Sequence, residues 1–320
     1  MSESARGGFG HDTTTAEVLE GIDLNGKLAL VTGGSGGLGA ETARALASKG
    51  ARIVITARDV AKGEEVAREI QASTGNDSVE VEELELGSLA SIRAFADRFL
   101  ARRDPVQILV NNAGVMACPF GKTTDGFELQ FGTNHLGHFL MTGLIAPALL
   151  RGAPSRVVSV SSRGHQQSPV VFDDIHFERR PYDKWLAYGQ SKTANILLAV
   201  ELERRLGSRG VHANAVHPGV ILTELARHLE PEDYAHLRKR MPGGQMRLKS
   251  VEAGAATSVY AATAPELEGR GGLYLEDCGV AKVDDAEDAA DGVRSYALDP
   301  ASAQRLWWTS EEMVGQSFLL

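Results

Sequence analysis

The chain has 320 residues, and its 33 Lys and Arg against 42 Asp and Glu give a formal net charge of −9 at pH 7. This acidic balance argues against a nucleic-acid partner, because phosphate binding depends on Lys and Arg clustered on one face. The two cysteines, Cys118 and Cys278, lie far apart and outside any Cys/His cluster, so we expect neither a disulfide framework nor a metal site. A polar start and the lack of a long apolar run predict a cytoplasmic protein without a signal peptide or membrane span.

Short β-branched runs alternate with helix-patterned stretches along the chain, which is typical of a parallel sheet built from crossover units. A short helix is predicted at 16–20. Seven strands are predicted at 28–32, 52–56, 79–83, 108–111, 156–160, 212–216 and 272–275. Covering helices are predicted at 40–49, 61–72, 89–102 and 188–206. This order predicts a single α/β domain with one doubly wound, seven-stranded parallel sheet and helices on both faces.

The domain is expected to span residues 25–300, with an N-terminal extension at 1–24 and a helical tail at 301–320. Two stretches, about 163–187 and 222–250, contain segments that fit the alternation of strand and helix poorly. Long excursions at the carboxyl edge of such a sheet usually enclose a ligand, so we expect these stretches to form substrate loops.

A glycine-rich segment, TGGSGGLG at 32–39, directly follows the first predicted strand and precedes a predicted helix. Gly33 and Gly37 allow a sharp turn and close approach of a ligand, and Gly39 allows close packing of helix on strand. The free amides of the first helical turn would face an anion, so the segment predicts a pyrophosphate site. A plain turn is the alternative.

The end of the second predicted strand indicates which dinucleotide binds. NAD enzymes place an acid there, about 20 residues after the glycine-rich turn, against the ribose hydroxyl. Ala57 stands at that place and Arg58 follows it, so a 2′-phosphate would meet a guanidinium. This pattern favours NADP(H) over NAD(H). The alternative is that Arg58 is a solvated residue and Asp59 an N-cap of the next helix.

Tyr188 and Lys192 lie four residues apart at the start of a predicted helix, which puts the hydroxyl and the ammonium on one face. A nearby cation lowers the pKa of a phenol, which is otherwise near 10 and too high for acid/base work at pH 7. A solvated surface pair is the alternative. Ser161 and Ser162 end the strand predicted at 156–160, beside the same crevice, and the residues alone do not separate these two hydroxyls.

Six features in chain order resemble the short-chain dehydrogenase/reductase family. They are TGGSGGLG at 32–39, NNAG at 111–114, Asn134, the serine pair, Tyr188-x3-Lys192 and Pro218-Gly219. The resemblance covers roughly 25–224 and implies a Rossmann-type fold and an enzyme that moves a hydride between NADP(H) and an alcohol or carbonyl carbon. Stretches 58–64, 112–119 and 217–219 are similar to the retinol dehydrogenase and WW-domain oxidoreductase-like branch, which mostly uses NADP(H).

The resemblance also implies roles for single residues. Tyr188 is expected to donate or accept the proton, Lys192 to lower its pKa and bind ribose, Ser162 to orient the substrate oxygen, and Asn134 to hold a water of the proton relay. Glu85 stands where the family usually has Asp against the adenine. The implied cofactor contacts are Gly33, Ser35, Gly36, Gly37, Leu38, Arg58, Glu85, Leu86, Asn112, Ala113, Gly114, Tyr188, Lys192, Pro218, Gly219, Val220 and Thr223.

The substrate is expected to be a medium-sized hydrophobic or aromatic small molecule in a pocket formed by 170–186 and 222–249, with Arg163, His165, Trp185 and Leu222 as contacts. Reduction of a carbon–carbon double bond, epimerisation, and a non-catalytic NADP-binding regulator are the alternatives. The resemblance implies a homodimer or homotetramer paired through the helix of Tyr188, although monomers occur in related branches; no membrane partner is expected.

Overall fold

The computed structural model describes residues 8–239 and 246–320, and a single sheet of eight strands runs through this described part. The strands are β1 (Leu28–Thr32), β2 (Arg52–Ala57), β3 (Val79–Glu83), β4 (Ile108–Asn111), β5 (Ser155–Val160), β6 (Val211–His217), β7 (Tyr274–Glu276) and β8 (Gly279–Val280). Their order is β3-β2-β1-β4-β5-β6-β7-β8. β1 pairs with both β2 and β4, so the winding reverses beside β1 and leaves a crevice at the carboxyl ends of the strands.

The doubly wound Rossmann-type fold is confirmed, and the predicted count of seven strands is corrected. The first seven strands are parallel, but β8 pairs antiparallel with β7 through a tight turn. Asp277 and Cys278 make this turn with φ of 48° and 58°. A strand of two residues is too short to show an alternating pattern, and for this reason the sequence did not reveal it.

Helices cover both faces of the sheet. They are α1 (Thr15–Val18), α2 (Gly37–Ala47), α3 (Val60–Thr74), α4 (Leu89–Ala101), α5 (Leu129–Phe131), α6 (Gly137–Arg151), α7 (Lys184–Leu206), α8 (Pro231–Lys239), α9 (Val251–Thr263) and α10 (Pro300–Val314). β1 and β4 are buried along their whole length, as expected for a parallel sheet covered on both sides. Within the described residues, no helix is both long enough and apolar enough to cross a membrane.

The start of α7 differs from its prediction at Tyr188. The helix begins one turn earlier, at Lys184, because the Asp183 carboxylate accepts hydrogen bonds from the amides of Trp185 (2.8 Å) and Leu186 (2.9 Å). Tyr188 therefore lies in the second turn of a helix that is already established. This position holds its backbone more firmly than a fraying helix end would.

The C-terminal helix α10 and the tail after it pack on α6 and α7. Trp307 is buried, with the Arg205 guanidinium of α7 lying 4.2 Å from its ring centre. Phe318 of the tail packs edge-on against Phe139 at 5.7 Å, and a Cβ on Gly143 would overlap the Phe318 ring. This side of α7 is therefore covered by the C-terminal segment of the same chain. Pairing of subunits through α7 stays a prediction.

Truncation of Phe318 to Ala is expected to lower the free energy of unfolding by about 3 kcal/mol, because the ring fills a gap over α6 that the backbone cannot close. Leu319, fully exposed beside it, provides the matched control, and Leu319→Ala should have no measurable effect. Urea unfolding followed by circular dichroism checks both variants. Equal midpoints for Phe318→Ala and wild type would show that the tail does not contribute to stability.

Candidate active site

A cavity of about 900 Å³ opens at the carboxyl edge of the sheet. Its lining includes the glycine-rich turn between β1 and α2 and residues of α8. Ser162, Tyr188 and Lys192 line it as well. A cavity of this size is typical of a small-molecule site.

The glycine-rich turn has the shape and the free donors that a dinucleotide pyrophosphate requires. Gly33 and Gly37 have φ of +66° and +53°, a region that other residues rarely adopt, and a Cβ on Gly33 would lie 2.9 Å from the Cβ of Ala113. No side chain in the described part of the chain caps α2, whose N-cap is Gly36. The first amides of α2 are therefore left for an anion, and Ser35 and Leu38 line the cavity beside them.

Arg58 and Glu85 both line the cavity beyond the ends of β2 and β3. An Arg58 Nη1 atom lies 3.6 Å from Glu85 Oε2, and Glu85 Oε1 accepts a hydrogen bond from the Gly87 amide at 2.8 Å. Asp59 is the N-cap of α3, accepting from the Lys62 amide at 3.1 Å. The side chain of Arg58 is two-thirds exposed, so a bound phosphate could reach it.

Thr32 links the carboxyl ends of β1 and β4, and its contacts position the loop after β4 beside the glycine-rich turn. Its hydroxyl oxygen accepts hydrogen bonds from the amides of Asn112 (2.9 Å) and Ala113 (3.0 Å) and lies 2.8 Å from His138 Nε2. Burial lowers the pKa of His138 to about 4, so its ring is neutral at pH 7. No group of His, Cys, Asp and Glu in the described ranges could hold a metal, and His138 serves packing and hydrogen bonding.

Asn134 sits in a π-helical turn, Gly132–Leu136, between α5 and α6. Its side-chain oxygen accepts from the Val115 amide at 2.8 Å, and its amide group donates to the Val115 carbonyl at 2.9 Å and to Ser191 Oγ at 2.9 Å. The side chain thus fastens the loop after β4 to α7. The expected role of Asn134 in holding a relay water stays a prediction, and this loop contact is a second role that the sequence did not suggest.

The two serines at the end of β5 have different partners. Ser161 is buried and its hydroxyl donates to the Lys192 carbonyl at 2.8 Å. The Ser162 hydroxyl lies beside the Tyr188 ring, since both would contact a Cβ on Gly164, and it accepts from the Gly164 amide at 3.0 Å. Ser162 is therefore the serine that neighbours Tyr188, and its expected role in orienting the substrate oxygen stays a prediction.

Tyr188 and Lys192 are both buried in α7, one turn apart. Burial raises the pKa of the Tyr188 phenol to about 12, and the neighbouring Ser162 hydroxyl opposes this rise. Burial also lowers the pKa of Lys192 to about 8. The Lys192 ammonium donates to the Val160 carbonyl at 3.0 Å and lies 5.7 Å from the Tyr188 ring centre. Burial is the largest influence on the pKa of both groups. The expectation that Lys192 lowers the pKa of Tyr188 therefore stays a prediction.

A family model described as short chain dehydrogenase matches residues 27–233. The chain is 45% identical over 294 residues to retinol dehydrogenase 12 of Mus musculus, covering 92% of this chain and 88% of that protein. The chain belongs to the short-chain dehydrogenase/reductase family. It lies in the branch that contains retinol dehydrogenases 11 and 12, and it is an oxidoreductase of the alcohol and carbonyl type that uses a nicotinamide cofactor.

Solved structures show the same family fold. An uncharacterised protein from Mycobacterium paratuberculosis superimposes with a TM-score of 0.74 at 35% identity, over 97% of this chain and 100% of that one. The complex of Pseudomonas aeruginosa RhlG with NADP superimposes with a TM-score of 0.63 at 25% identity, over 83% of this chain and 98% of that one.

The expected cofactor contacts of this dehydrogenase/reductase all line the cavity. They include residues of the glycine-rich turn and of the segments that follow β3, β4 and β6. Thr223 reaches back to the turn, since a Cβ on Gly37 would lie 3.5 Å from its side chain. The residues concerned are Gly33, Ser35, Gly36, Gly37, Leu38, Arg58, Glu85, Leu86, Asn112, Ala113, Gly114, Tyr188, Lys192, Pro218, Gly219, Val220 and Thr223.

Three of the four expected substrate contacts, Arg163, Trp185 and Leu222, line the cavity of this enzyme. His165 does not, and that expectation is wrong. Its ring is fully buried behind Ser162, with Nδ1 2.8 Å from the Ser162 carbonyl oxygen and Nε2 accepting from the Arg294 amide at 3.2 Å. The sequence could not show this, because the partner Arg294 lies far along the chain.

The substrate walls also differ from the expectation for 170–186. The structure describes all of this segment, and Trp185 alone of it lines the cavity, because Ile175 and its neighbours pack into the core instead. The loop after β4 provides the wall that the sequence did not reveal, with Met116 and Phe120 facing the cavity. The described part of 222–250 does contribute as expected, through Leu222, Leu225, Leu229, Tyr234, Leu237 and Met246.

Proposed function

We propose that this enzyme is an NADP(H)-dependent oxidoreductase that interconverts an alcohol and a ketone or aldehyde on a medium-sized hydrophobic or aromatic molecule. The observation that carries the proposal is the pair of neighbouring side chains Ser162 and Tyr188, which both border Gly164. Together with Lys192 they line the same cavity as the glycine-rich anion site and the apolar walls. Hydroxyl donors at this place match a substrate oxygen, and apolar walls match a hydrophobic body.

The chemistry assigned to the chain's own residues is proton transfer and charge stabilisation. In reduction, Ser162 and Tyr188 donate hydrogen bonds to the carbonyl oxygen, and Tyr188 gives its proton as negative charge develops there. The Lys192 ammonium stabilises the phenolate that remains on Tyr188. In oxidation, Tyr188 accepts the proton of the alcohol. A nicotinamide cofactor, with its pyrophosphate held at the glycine-rich turn, would supply the hydride in one direction and accept it in the other.

The preference for NADP(H) is proposed from the residues at the end of β2. Ala57 offers no carboxylate to a ribose hydroxyl, whereas the Arg58 guanidinium reaches the cavity and forms an exposed ion pair with Glu85 there. Such a pair is worth little in water, so exchange of the Glu85 carboxylate for a 2′-phosphate costs little. RhlG, which shares the fold, was solved with NADP.

Arg58→Ala is expected to raise the Kd for NADPH by roughly tenfold or more, which is the usual effect of losing one charged hydrogen bond, while the Kd for NADH stays unchanged. Arg68→Ala is the matched control, because Arg68 lies on the outer side of α3 and outside the cavity. Fluorescence titration with both nucleotides, combined with a screen of ketones and alcohols, tests the proposal. Equal NADPH and NADH affinities in the wild type would overturn the assignment of NADP(H).

A further inference from the structure

Asp233 of α8 carries a buried carboxylate with three hydrogen-bond donors around it. Its side chain is only 5% exposed. Lys184 Nζ donates at 2.6 Å, Trp185 Nε1 at 3.2 Å and the Glu230 amide at 2.9 Å. These contacts favour the ionised form and keep the pKa of Asp233 below its usual range, although burial opposes them. A carboxylate bound in this way is fixed in position.

The two side-chain donors are the first residues of the helix that carries Tyr188. Lys184 and Trp185 open α7, and Tyr188 follows in the next turn. Trp185 lines the cavity, whereas Lys184 does not. On the other side of the carboxylate, Tyr234 and Leu237 of α8 also line the cavity. Asp233 therefore joins two walls of the substrate space.

Among the side chains of α8 that the structure describes, Asp233 is the one that is buried. A helix of nine residues is marginal on its own and depends on tertiary contacts for its stability. Such a helix usually packs an apolar face on the core, but here the buried contact is made by the charged side chain of Asp233.

We infer that Asp233 is a positioning residue for substrate selection, resting on the proposed function. By holding α8 against the start of α7, it presents Trp185, Tyr234 and Leu237 as a fixed apolar wall. A large substrate that reaches this wall binds more tightly when the wall is held in position. A small substrate that reaches only Ser162 and Tyr188 does not depend on the wall. Asp233 thus sets the preference for large over small substrates and leaves the chemical step unchanged.

A purely local role is the competing explanation. The bond from the Glu230 amide to Asp233 Oδ2 also caps the first turn of α8, and a cap would matter for that helix alone. Lys184 separates the two roles, because it contributes nothing to the cap and lies outside the cavity. Lys184→Met keeps the aliphatic stem and removes the charge.

The test compares propanal with 4-phenylbenzaldehyde as substrates for NADPH oxidation. Asp233→Asn and Lys184→Met are each expected to lower kcat/KM for 4-phenylbenzaldehyde by about tenfold, through KM, and to leave propanal within about twofold. The double variant should have a kcat/KM for 4-phenylbenzaldehyde no lower than that of Asp233→Asn alone, since both substitutions break the same contact between Asp233 and Lys184. Lys282→Met, which removes an exposed ion pair with Asp284 at 3.0 Å, is the matched control and should change neither substrate.

Hydrogen–deuterium exchange provides a readout that needs no turnover. Both variants should speed exchange in α8 and leave α2 and α9 unchanged. If the wild type reduces neither aldehyde, the proposed function has failed for these substrates, and faster exchange in Lys184→Met still supports the contact between helices. An unchanged ratio of the two kcat/KM values, an equal loss for both substrates, or unchanged exchange in Lys184→Met would each overturn the inference.

Discussion

Tyr188→Phe is expected to reduce turnover by about a thousandfold or more while NADPH binding stays close to that of the wild type. The substitution removes one oxygen, and with it the proton donor and one hydrogen bond to the developing oxyanion, each of which contributes about a hundredfold or more in enzymes. The ring itself remains, packed so closely on Gly164 that a Cβ there would lie 2.7 Å from it. Ser162 keeps its bond from the Gly164 amide, so the pocket retains its shape.

The measurement is single-turnover oxidation of NADPH with a ketone substrate, alongside nucleotide titration. Tyr260→Phe is the matched control, because Tyr260 is an equally buried phenol on α9, outside the cavity. It should keep full activity. Retained activity in Tyr188→Phe would move the proton donor to another group. Tight NADPH binding without any turnover in the wild type would favour the NADP-sensing regulator instead.

The strands and the cofactor turn could be predicted because their signals are local. β1, β3 and β4 begin and end at the predicted residues. β1 and β4 are short, largely apolar runs bounded by turn residues, and burial on both faces makes those runs continuous. The edge strand β3, VEVEE, is marked instead by its alternation of Val and Glu. The glycine-rich segment was recognisable for the same reason, since its conformation depends on residues that adjoin in the chain.

The substrate side was predicted less well because its contacts join distant segments. Ser161 and Ser162 are neighbours in an extended chain and point to opposite sides, so only the packing of α7 decides which one meets Tyr188. His165 was expected in the wall, yet its ring is buried and accepts a hydrogen bond from the Arg294 amide, which lies far along the chain. The contact of Asp233 with α7 has no sequence pattern at all, since a carboxylate on a polar helix usually faces solvent.

Lys192→Met is expected to lower turnover at least about a hundredfold and, at the same time, to stabilise the protein. Lys192 is 3% exposed, and burial lowers its pKa from 10.5 to about 8. A lowered pKa of this size means that the folded state bears a cost of about 3 kcal/mol for the buried ammonium at pH 7. Methionine fills the same volume without charge. The Val160 carbonyl keeps a donor, since Asn195 Nδ2 also bonds to it at 3.1 Å.

The pH dependence distinguishes this cost from a packing effect. Between about pH 8 and 10.5 the unfolded chain holds a proton on Lys192 that the folded chain has lost, so wild-type stability rises with pH across this interval. The variant lacks the titrating group, and its advantage in unfolding free energy should shrink over the same interval.

Urea unfolding of the wild type and the variant from pH 7 to 10.5 measures both free energies of unfolding, with Lys27→Met at an exposed site as control. A stabilisation that stays constant with pH would indicate a packing effect, and a less stable variant would show that contacts of Lys192 outweigh the cost of its burial. A stabilised but inactive variant would mean instead that this protein keeps a destabilising charge because proton transfer at Tyr188 requires it.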